Sequence, residues 1–318
     1  MKWVTSLLAI ACSSLVGSVA VAADRVNIVV EQRGNWDTAV PTLGDKAGIF
    51  AKHGIALEIL YTTGTGESLQ ATIAGSADIA IGPGTQGVMA AFSKGAPIRI
   101  VGSQAVGISE VFFYVPAGSP IKSFKDFDDK TVAYSGTGSS VFAIIQAMRT
   151  ELRIAPKPVA TGNPSSTFTQ VMSGQVDVGW SAPPSGLAAL KKGEIRIVAR
   201  GGDVSTFKDQ TVRTILANAK FVETKAEVLA RFMQAYRETL DWMYASDQAP
   251  SVYAEYAKVS PDLVADLRSE YYEKARLSPD RIVGLDILMQ AAINSKFLTQ
   301  PLSKEELARL VAVPAPIR

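Results

Sequence analysis

Gly75-Ser76-Ala77-Asp78-Ile79-Ala80-Ile81-Gly82 and, 99 positions on, Gly174-Gln175-Val176-Asp177-Val178-Gly179-Trp180-Ser181 follow one pattern. Each has a glycine, two spacers, an aspartate and then a short run that reads as a buried strand. Each is followed by a turn rich in Pro and Gly and by an Ala-rich stretch. Each set then closes on the same four letters, Ile98-Arg99-Ile100-Val101 and Ile195-Arg196-Ile197-Val198. An ordered match of this kind, with a period near 100, predicts two similar lobes rather than a solenoid.

The sequence around these anchors alternates strand and helix. Asp24 to Glu31 (DRVNIVVE) starts as an apolar–polar alternation and ends apolar, as a strand buried on both faces does. A helix is expected over Gly44 to His53, stopped by Gly54, and a second strand over Ile55 to Tyr61. Helical spacing resumes at Glu67 to Ala74 and Gly87 to Lys94, with strands at Asp78 to Ile81 and Ile98 to Val101. The second set runs from a strand at Lys130 to Tyr134 into a helix at Val141 to Leu152. Single helices between strands predict mainly parallel sheets with helices on both faces.

From about residue 224 the pattern is helical only. Leu229, Phe232, Met233, Tyr236, Leu240 and Met243 make one apolar face. Capping boxes are expected at Thr224 to Glu227 and Ser303 to Glu306, and helix starts at Ser260-Pro261 and Ser278-Pro279. The expected division is 23–115 plus 216–318 for the first lobe with its helical tail, and 116–215 for the second. The chain would cross between lobes near Val115 to Ser119 and Ile215 to Asn218.

Residues 1–22 read as a cleavable leader: Lys2, an apolar stretch from Leu7 to Val16, and Ala20-Val21-Ala22 as the cleavage pattern. Export to the periplasm follows. The apolar stretch is shorter than the roughly 20 residues a membrane span needs. A lipidated Cys12 is the alternative, disfavoured by the short apolar run ahead of it.

Composition narrows the chemistry. Among 318 residues there is one cysteine, Cys12, and one histidine, His53. A Cys-His pair, a Cys-rich or multi-histidine metal site and a disulfide framework all need residues the chain lacks. His53 precedes a helix-ending glycine and reads as a surface cap. A formal net charge of +2, from 32 basic and 30 acidic residues, gives no basic face for nucleic acid. No catalytic residue, metal or cofactor is assigned.

The candidate chemistry lies in four Ser/Thr/Gly turns between strands and helices: Thr63 to Gly66, Gly82 to Thr85, Ser135 to Ser140, and Ser181 to Ser185. In open parallel sheets, ligands bind at that edge. Helix N-termini there offer unpaired N–H groups and a positive dipole end, which suit an anion. None of the turns carries the Gly-Lys-Ser/Thr ending of a P-loop, and no GxGxxG follows the first strand. The candidate ligand-binding residues are Arg33, Asn35, Trp36, Thr63, Thr65, Gly66, Gly84, Thr85, Ser135, Gly136, Thr137, Gly138, Ser139, Ser140, Trp180 and Ser181. Arg33 could pair with an acidic group bidentately. Trp36, expected at the cleft, Trp180 and Tyr134 would equally suit an aromatic acid or a pyrimidine.

The run Asn35 to Glu58, above all Ala47-Gly48-Ile49-Phe50-Ala51-Lys52-His53-Gly54-Ile55, resembles the opening of the periplasmic solute-binding proteins of nitrate/sulfonate/taurine-type (NitT/TauT, NMT1-like) ABC importers. Gly75 to Gly82, Pro120 to Phe127 with Lys130 to Ala133, and Gly174 to Pro183 resemble later parts of the same family. Asp128-Asp129 departs from the Lys/Gly residues usual there.

The resemblance implies a two-lobed, type II-like periplasmic binding fold with a helical C-terminal extension. Such a protein captures a small solute, here expected to be sulfonate-, nitrate- or taurine-like, by hinge closure. It implies a membrane permease and an ATPase as partners, and a monomer. Some relatives of this fold are enzymes, a desulfinase and a thiamine-pyrimidine synthase, which are understood to depend on a cysteine-bearing site. An exported enzyme, or a receptor for another importer or sensor class, are the alternatives.

Overall fold

The computed structural model describes residues 23–315 and 317; the expected leader, with Cys12, lies outside the described residues. The first strand, β1 (Asp24–Glu31), has the bounds its letters predict, with every residue from Ile28 to Glu31 buried. The expected helix over Gly44 to His53 is instead two short helices, α1 (Val40–Lys46) and α2 (Ile49–Lys52). Gly48, at φ +71, breaks the chain between them in the left-handed region that only glycine enters freely.

β2 (Ile55–Thr62), α3 (Thr65–Ala74), β3 (Ile79–Gly84), α4 (Thr85–Ser93) and β4 (Ile98–Val106) follow. Both α3 and α4 start two residues earlier than their apolar spacing indicates, so Thr65, Gly66 and Thr85 belong to first helical turns.

The chain then builds a second set. It runs through β5 (Phe112–Pro116), β6 (Thr131–Tyr134), α5 (Ser140–Glu151), β7 (Lys157–Ala160), α6 (Pro164–Met172), β8 (Gly179–Ser181), α7 (Leu187–Lys191) and β9 (Ile195–Arg200). It returns in β10 (Thr211–Asn218), which completes the first sheet.

The first sheet has the order β2-β1-β3-β10-β4, parallel except for β10. In the second lobe β7 pairs with β6, and β8-β5-β9 form an antiparallel set. A parallel bridge between Val132 and Val178 joins the two groups. The joined order, β7-β6-β8-β5-β9, repeats that of the first lobe position for position, with β5 in the place of β10. The sheets are linked by 107–111 and 201–210, a few residues before the expected connections.

The repeated Gly-x-x-Asp motif has a physical reason. Gly75 and Gly174 both sit at φ +76 and end the helix before the third strand. Asp78 then accepts a hydrogen bond from the Asn27 N–H of β1 (2.8 Å), and Asp177 from the Thr131 N–H of β6 (2.8 Å). Each carboxylate fixes the register of the third strand against the first, at the end of the sheet away from the candidate turns.

The tail adds α8 (Ala219–Thr224), α9 (Ala226–Ala245), α10 (Ala249–Ala257), α11 (Asp262–Asp266), α12 (Leu285–Asn294) and α13 (Lys304–Leu310). The predicted apolar face of α9 is buried throughout; full burial of each such side chain contributes about 1.5–3 kcal/mol. α9 lies so close to α1 that a Cβ on Gly44 would come within 2.2 Å of Thr239 Oγ1.

The Ser303–Glu306 capping box forms. The one expected at Thr224 does not, because Thr224 ends α8 and its hydroxyl bonds the Lys220 carbonyl (2.8 Å). Ser260 gives no side-chain cap: α11 begins after Pro261. Ser278-Pro279 starts no helix; Pro279 and Asp280 form a turn, with Arg281 N–H on the Ser278 carbonyl (3.4 Å), in the link to α12. Among the described residues no helix is long and apolar enough to cross a membrane.

Candidate interlobe site

The C-terminal ends of the parallel strands in both lobes point at one another. Glycine lets the turns there meet backbone to backbone. A Cβ on Gly84 would lie 2.4 Å from the Gly138 carbonyl oxygen, and one on Gly87 2.9 Å from Gly138 Cα. A Cβ on Gly138 would touch Thr65 Cγ2 at 3.4 Å, and one on Gly64 would lie 3.8 Å from Ser135 Cβ. A cavity of about 10 Å³ remains between Gly84, Gln86, Gly138, Ser139 and Ser140, room for one water molecule. The lobes are closed.

Within this contact, Thr65 Oγ1 accepts from the Gly84 N–H (3.1 Å) and donates to Glu31 Oε2 (3.2 Å). Thr85 Oγ1 donates to the Thr211 carbonyl of β10. Ser139 caps α5, accepting from the Phe142 N–H (3.2 Å), and Ser140 opens the helix. Thr65, Gly84, Thr85, Gly138, Ser139 and Ser140 are thus brought together, with Ser135 and Gly136 half-buried beside them. Ser181 is buried on the same edge of the second lobe and donates to the Ser185 carbonyl (3.0 Å). Trp180 is 2% exposed, and its Nε1 has no partner among the described residues.

Other expected residues stand elsewhere. Trp36 does not face the cleft: it is fully buried, donates from Nε1 to Tyr244 Oη (3.0 Å), and packs edge-on against Tyr244 and Tyr253. Asn35 is buried beside it, its carbonyl accepting from Ala39 N. Arg33 is exposed, with its guanidinium over the rings of Tyr61 and Tyr256. Thr63, Gly66 and Thr137 are exposed; Thr63 bonds Glu67 through N–H and hydroxyl. Tyr134 stacks on Phe142, centroids 4.6 Å apart. His53 ends α2, as expected, and bonds Glu238 (2.8 Å).

Sequence reasoning missed a buried ionic cluster at the same edge. Arg213 on β10 donates from Nε to Gln104 Oε1 (2.9 Å) and from Nη2 to Glu110 Oε1, with Asp37 Oδ2 at 3.2 Å. Gln104 Nε2 in turn donates to Asp37 Oδ2 (2.9 Å). Glu110 lies in the outgoing link between sheets, and Arg213 follows the return link, so one guanidinium ties both crossings to the first lobe. Burial works to lower the Arg213 pKa, but Glu110 and Asp37 beside it hold it above the usual value. Burial raises Glu110 despite Arg213.

Glu31, also missed, is 6% exposed. Burial pushes its carboxyl up to about 8 against the pull of the Thr65 and Ser68 hydroxyls and of Arg213. The signal for Glu31 was present in the sequence: an acid closing the apolar run Ile28 to Val30, at the strand end nearest the candidate turns.

Larger cavities lie elsewhere. One of about 650 Å³ is at the opposite end of the first sheet, around Asn27, Asp78 and Asn218. Another, about 350 Å³, lies over Tyr114 between α6 and α7, with Ser181 and Ser185 at its rim. Neither faces both lobes, so position at the strand ends, not size, selects the interlobe edge. Among the described residues no group of three or more His, Cys, Asp or Glu side chains could hold a metal ion.

Two lobes of one strand order, closing on each other at the C-terminal ends of their strands, define the periplasmic-binding-protein fold. The chain belongs to the NMT1/THI5-like family, whose model matches residues 37–249. A Brucella abortus (strain 2308) relative, whose name claims no more than a binding role, is 24% identical over 254 residues, covering 79% of this chain and 76% of its own.

The alkanesulfonate-binding protein SsuA from Xanthomonas axonopodis pv. citri, solved bound to MOPS, superposes with a TM-score of 0.74. It is 15% identical and covers 93% of this chain and 100% of its own. The nitrate-binding protein NrtA from Synechocystis PCC 6803 has a TM-score of 0.69 at 15% identity, over 91% and 85%. The fold also occurs in the desulfurization enzyme DszB, with a TM-score of 0.65 at 16% identity over 91% and 96%.

Proposed function

We propose that the protein is the extracytoplasmic solute receptor of an ABC importer. It takes a small molecule between its lobes in the periplasm, closes by hinge motion at 107–111 and 201–210, and delivers the molecule, as a monomer, to a membrane permease driven by an ATPase. The observation that carries this reading is the meeting of Thr65, Gly84 and Thr85 with Gly138, Ser139 and Ser140 across the interlobe edge. The importer role rests on family membership and on the solute-binding neighbours.

The N-termini of α4 and α5 favour an electron-rich end on the solute, such as a sulfonate, nitrate or carboxylate. Trp180 and Ser181 form the wall of the second lobe. Calorimetry with sulfonates, nitrate, carboxylates and pyrimidines tests the reading: one member binds with a stoichiometry of one and raises the melting temperature. If every member leaves both unchanged, the reading fails. An exported enzyme is the second reading, because the fold also carries a desulfurization enzyme. Conversion of the bound solute to product would favour it.

A further inference from the structure

The two lobes repeat one strand order but differ at a matched pair of positions. In the first lobe Ala80 on β3 stands opposite Leu216 on β10, and both are fully buried. Their counterparts in the second lobe are Gly179 on β8, 99 positions after Ala80, and Tyr114 on β5. Glycine is what admits the tyrosine ring there. A Cβ on Gly179 would come within 2.4 Å of Tyr114 Cζ and 2.7 Å of Tyr114 Oη. The second lobe thus carries a phenol where the first has an aliphatic side chain.

That phenol has nothing to bond. Tyr114 is 1% exposed, and its Oη has no partner among the described residues. Burial raises its pKa, so the hydroxyl keeps its proton and is a neutral donor. A buried donor without an acceptor costs stability, and a ligand that brings an acceptor relieves that cost.

Tyr114 lines the cavity of about 350 Å³ between α6 and α7. α7 has five residues where α4, its counterpart in the first lobe, has nine, which leaves space beside it. The walls are apolar: Pro164, Ala188, Ala189 and Phe168, whose ring centroid lies 6.5 Å from that of Tyr114. Two polar pairs at the rim are already matched. Ser181 Oγ donates to the Ser185 carbonyl, and Lys192 Nζ lies 3.9 Å from Glu194 Oε1. Neither leaves a charge for a ligand to balance. Small-molecule pockets have about this size, apolar and aromatic walls and few polar groups.

We infer that this cavity is a second ligand site, built by the second lobe alone, for an uncharged, flat and mainly apolar molecule with one hydrogen-bond acceptor, such as a carbonyl oxygen, for Tyr114 Oη. The rings of Tyr114 and Phe168 favour the flat shape, and the unpartnered hydroxyl calls for the acceptor. The inference does not rest on the receptor reading, since no residue of the first lobe lines the cavity.

The test uses the full chain and three probes of similar size: acetophenone, which has the acceptor, ethylbenzene, which lacks it, and benzoate, which is charged. Ligand-observed NMR and calorimetry give affinities for the wild type, Tyr114→Phe and Ala188→Trp. Tyr114→Phe removes only the unpartnered hydroxyl, so the fold is kept. Ala188→Trp fills the cavity from an exposed position. The expected result is that acetophenone binds the wild type more tightly than either other probe. Tyr114→Phe weakens it about 2- to 12-fold, the worth of a neutral hydrogen bond, and leaves ethylbenzene unchanged. Ala188→Trp abolishes binding of both.

No binding of acetophenone by the wild type overturns the inference. So does acetophenone binding that survives Ala188→Trp, because the probe then sits elsewhere. Equal affinity for acetophenone and ethylbenzene, or no effect of Tyr114→Phe, overturns it as well, because the hydroxyl then meets no acceptor. The wild type and Tyr114→Phe decide even if Ala188→Trp fails to fold.

Discussion

Tyr272, in the C-terminal extension, donates from Oη to the carbonyl oxygen of Pro183 in the second lobe, at 2.6 Å. Its own carbonyl accepts from Tyr244 Oη, which accepts from Trp36 Nε1 at 3.0 Å. A hydrogen-bonded line therefore runs from the first lobe through the tail to the turn after β8. Tyr272→Phe removes only the hydroxyl. Solute affinity is expected to fall about 3- to 10-fold, the worth of a neutral hydrogen bond, with the change in the dissociation rate. Stopped-flow release and calorimetry check this; an unchanged release rate would remove Tyr272 from the closing machinery.

Gly84 has an ordinary backbone, φ −63 and ψ 129, so alanine is tolerated in an open form. In the closed form its Cβ would strike the Gly138 carbonyl. Gly84→Ala is expected to leave the melting temperature of solute-free protein near the wild-type value. It should weaken binding about 5- to 150-fold, since overpacking costs about 1–3 kcal/mol. Calorimetry on the two proteins reads the difference.

Glu31 should make stability depend on pH. Its carboxyl lies near 8 in the folded chain against 4.5 for the free group, so between those values the folded chain holds a proton that the unfolded chain has lost. Stability therefore falls as pH rises from about 4.5 towards 8 and is flat above. Thr65, Ser68, Arg213 and Glu67 are the groups acting on it. In Glu31→Gln this fall should disappear. Melting temperatures of both proteins from pH 5 to 9 give the comparison, and parallel curves would show that Glu31 ionises as freely as in water.

Arg213 neutralises two buried carboxylates, and its removal leaves them unpaired. Arg213→Met is expected to cost about 3–5 kcal/mol of folding stability. The variant Arg213→Met with Asp37→Asn and Glu110→Gln should recover part of it. Urea unfolding measures both; a loss under about 1 kcal/mol would mean that the cluster is hydrated.

The letters revealed what is local and periodic. β1, the third and last strands of each lobe, and the buried face of α9 all follow from spacing, and the Gly-x-x-Asp repeat marked equivalent strands. The turns before α3, α4 and α5 were legible because Ser, Thr and Gly serve helix starts there. Long-range pairing was not legible. Nothing near Trp36 in sequence announces Tyr244 or Tyr253, so a tryptophan among Gly34, Asn35 and Asp37, rightly read on a loop, was expected at the cleft when its ring packs into the core. Arg213, Asp37 and Glu110 are far apart in the chain and meet only after the lobes cross twice. Thr224 failed as a cap for a similar reason, because α8 ends where the local pattern begins α9.

The central claim is that the two lobes close on a solute. Lys94, after α4, and Gln175, before β8, are exposed on different lobes. The only cysteine, Cys12, falls in the expected leader, so the double variant Lys94→Cys, Gln175→Cys can be spin-labelled at those two positions alone. Pulsed electron–electron resonance then gives the interlobe distance with and without the solute found by the panel. The account predicts a longer or broader distribution without solute and a single shorter distance with it. Identical distributions in the two samples would contradict it.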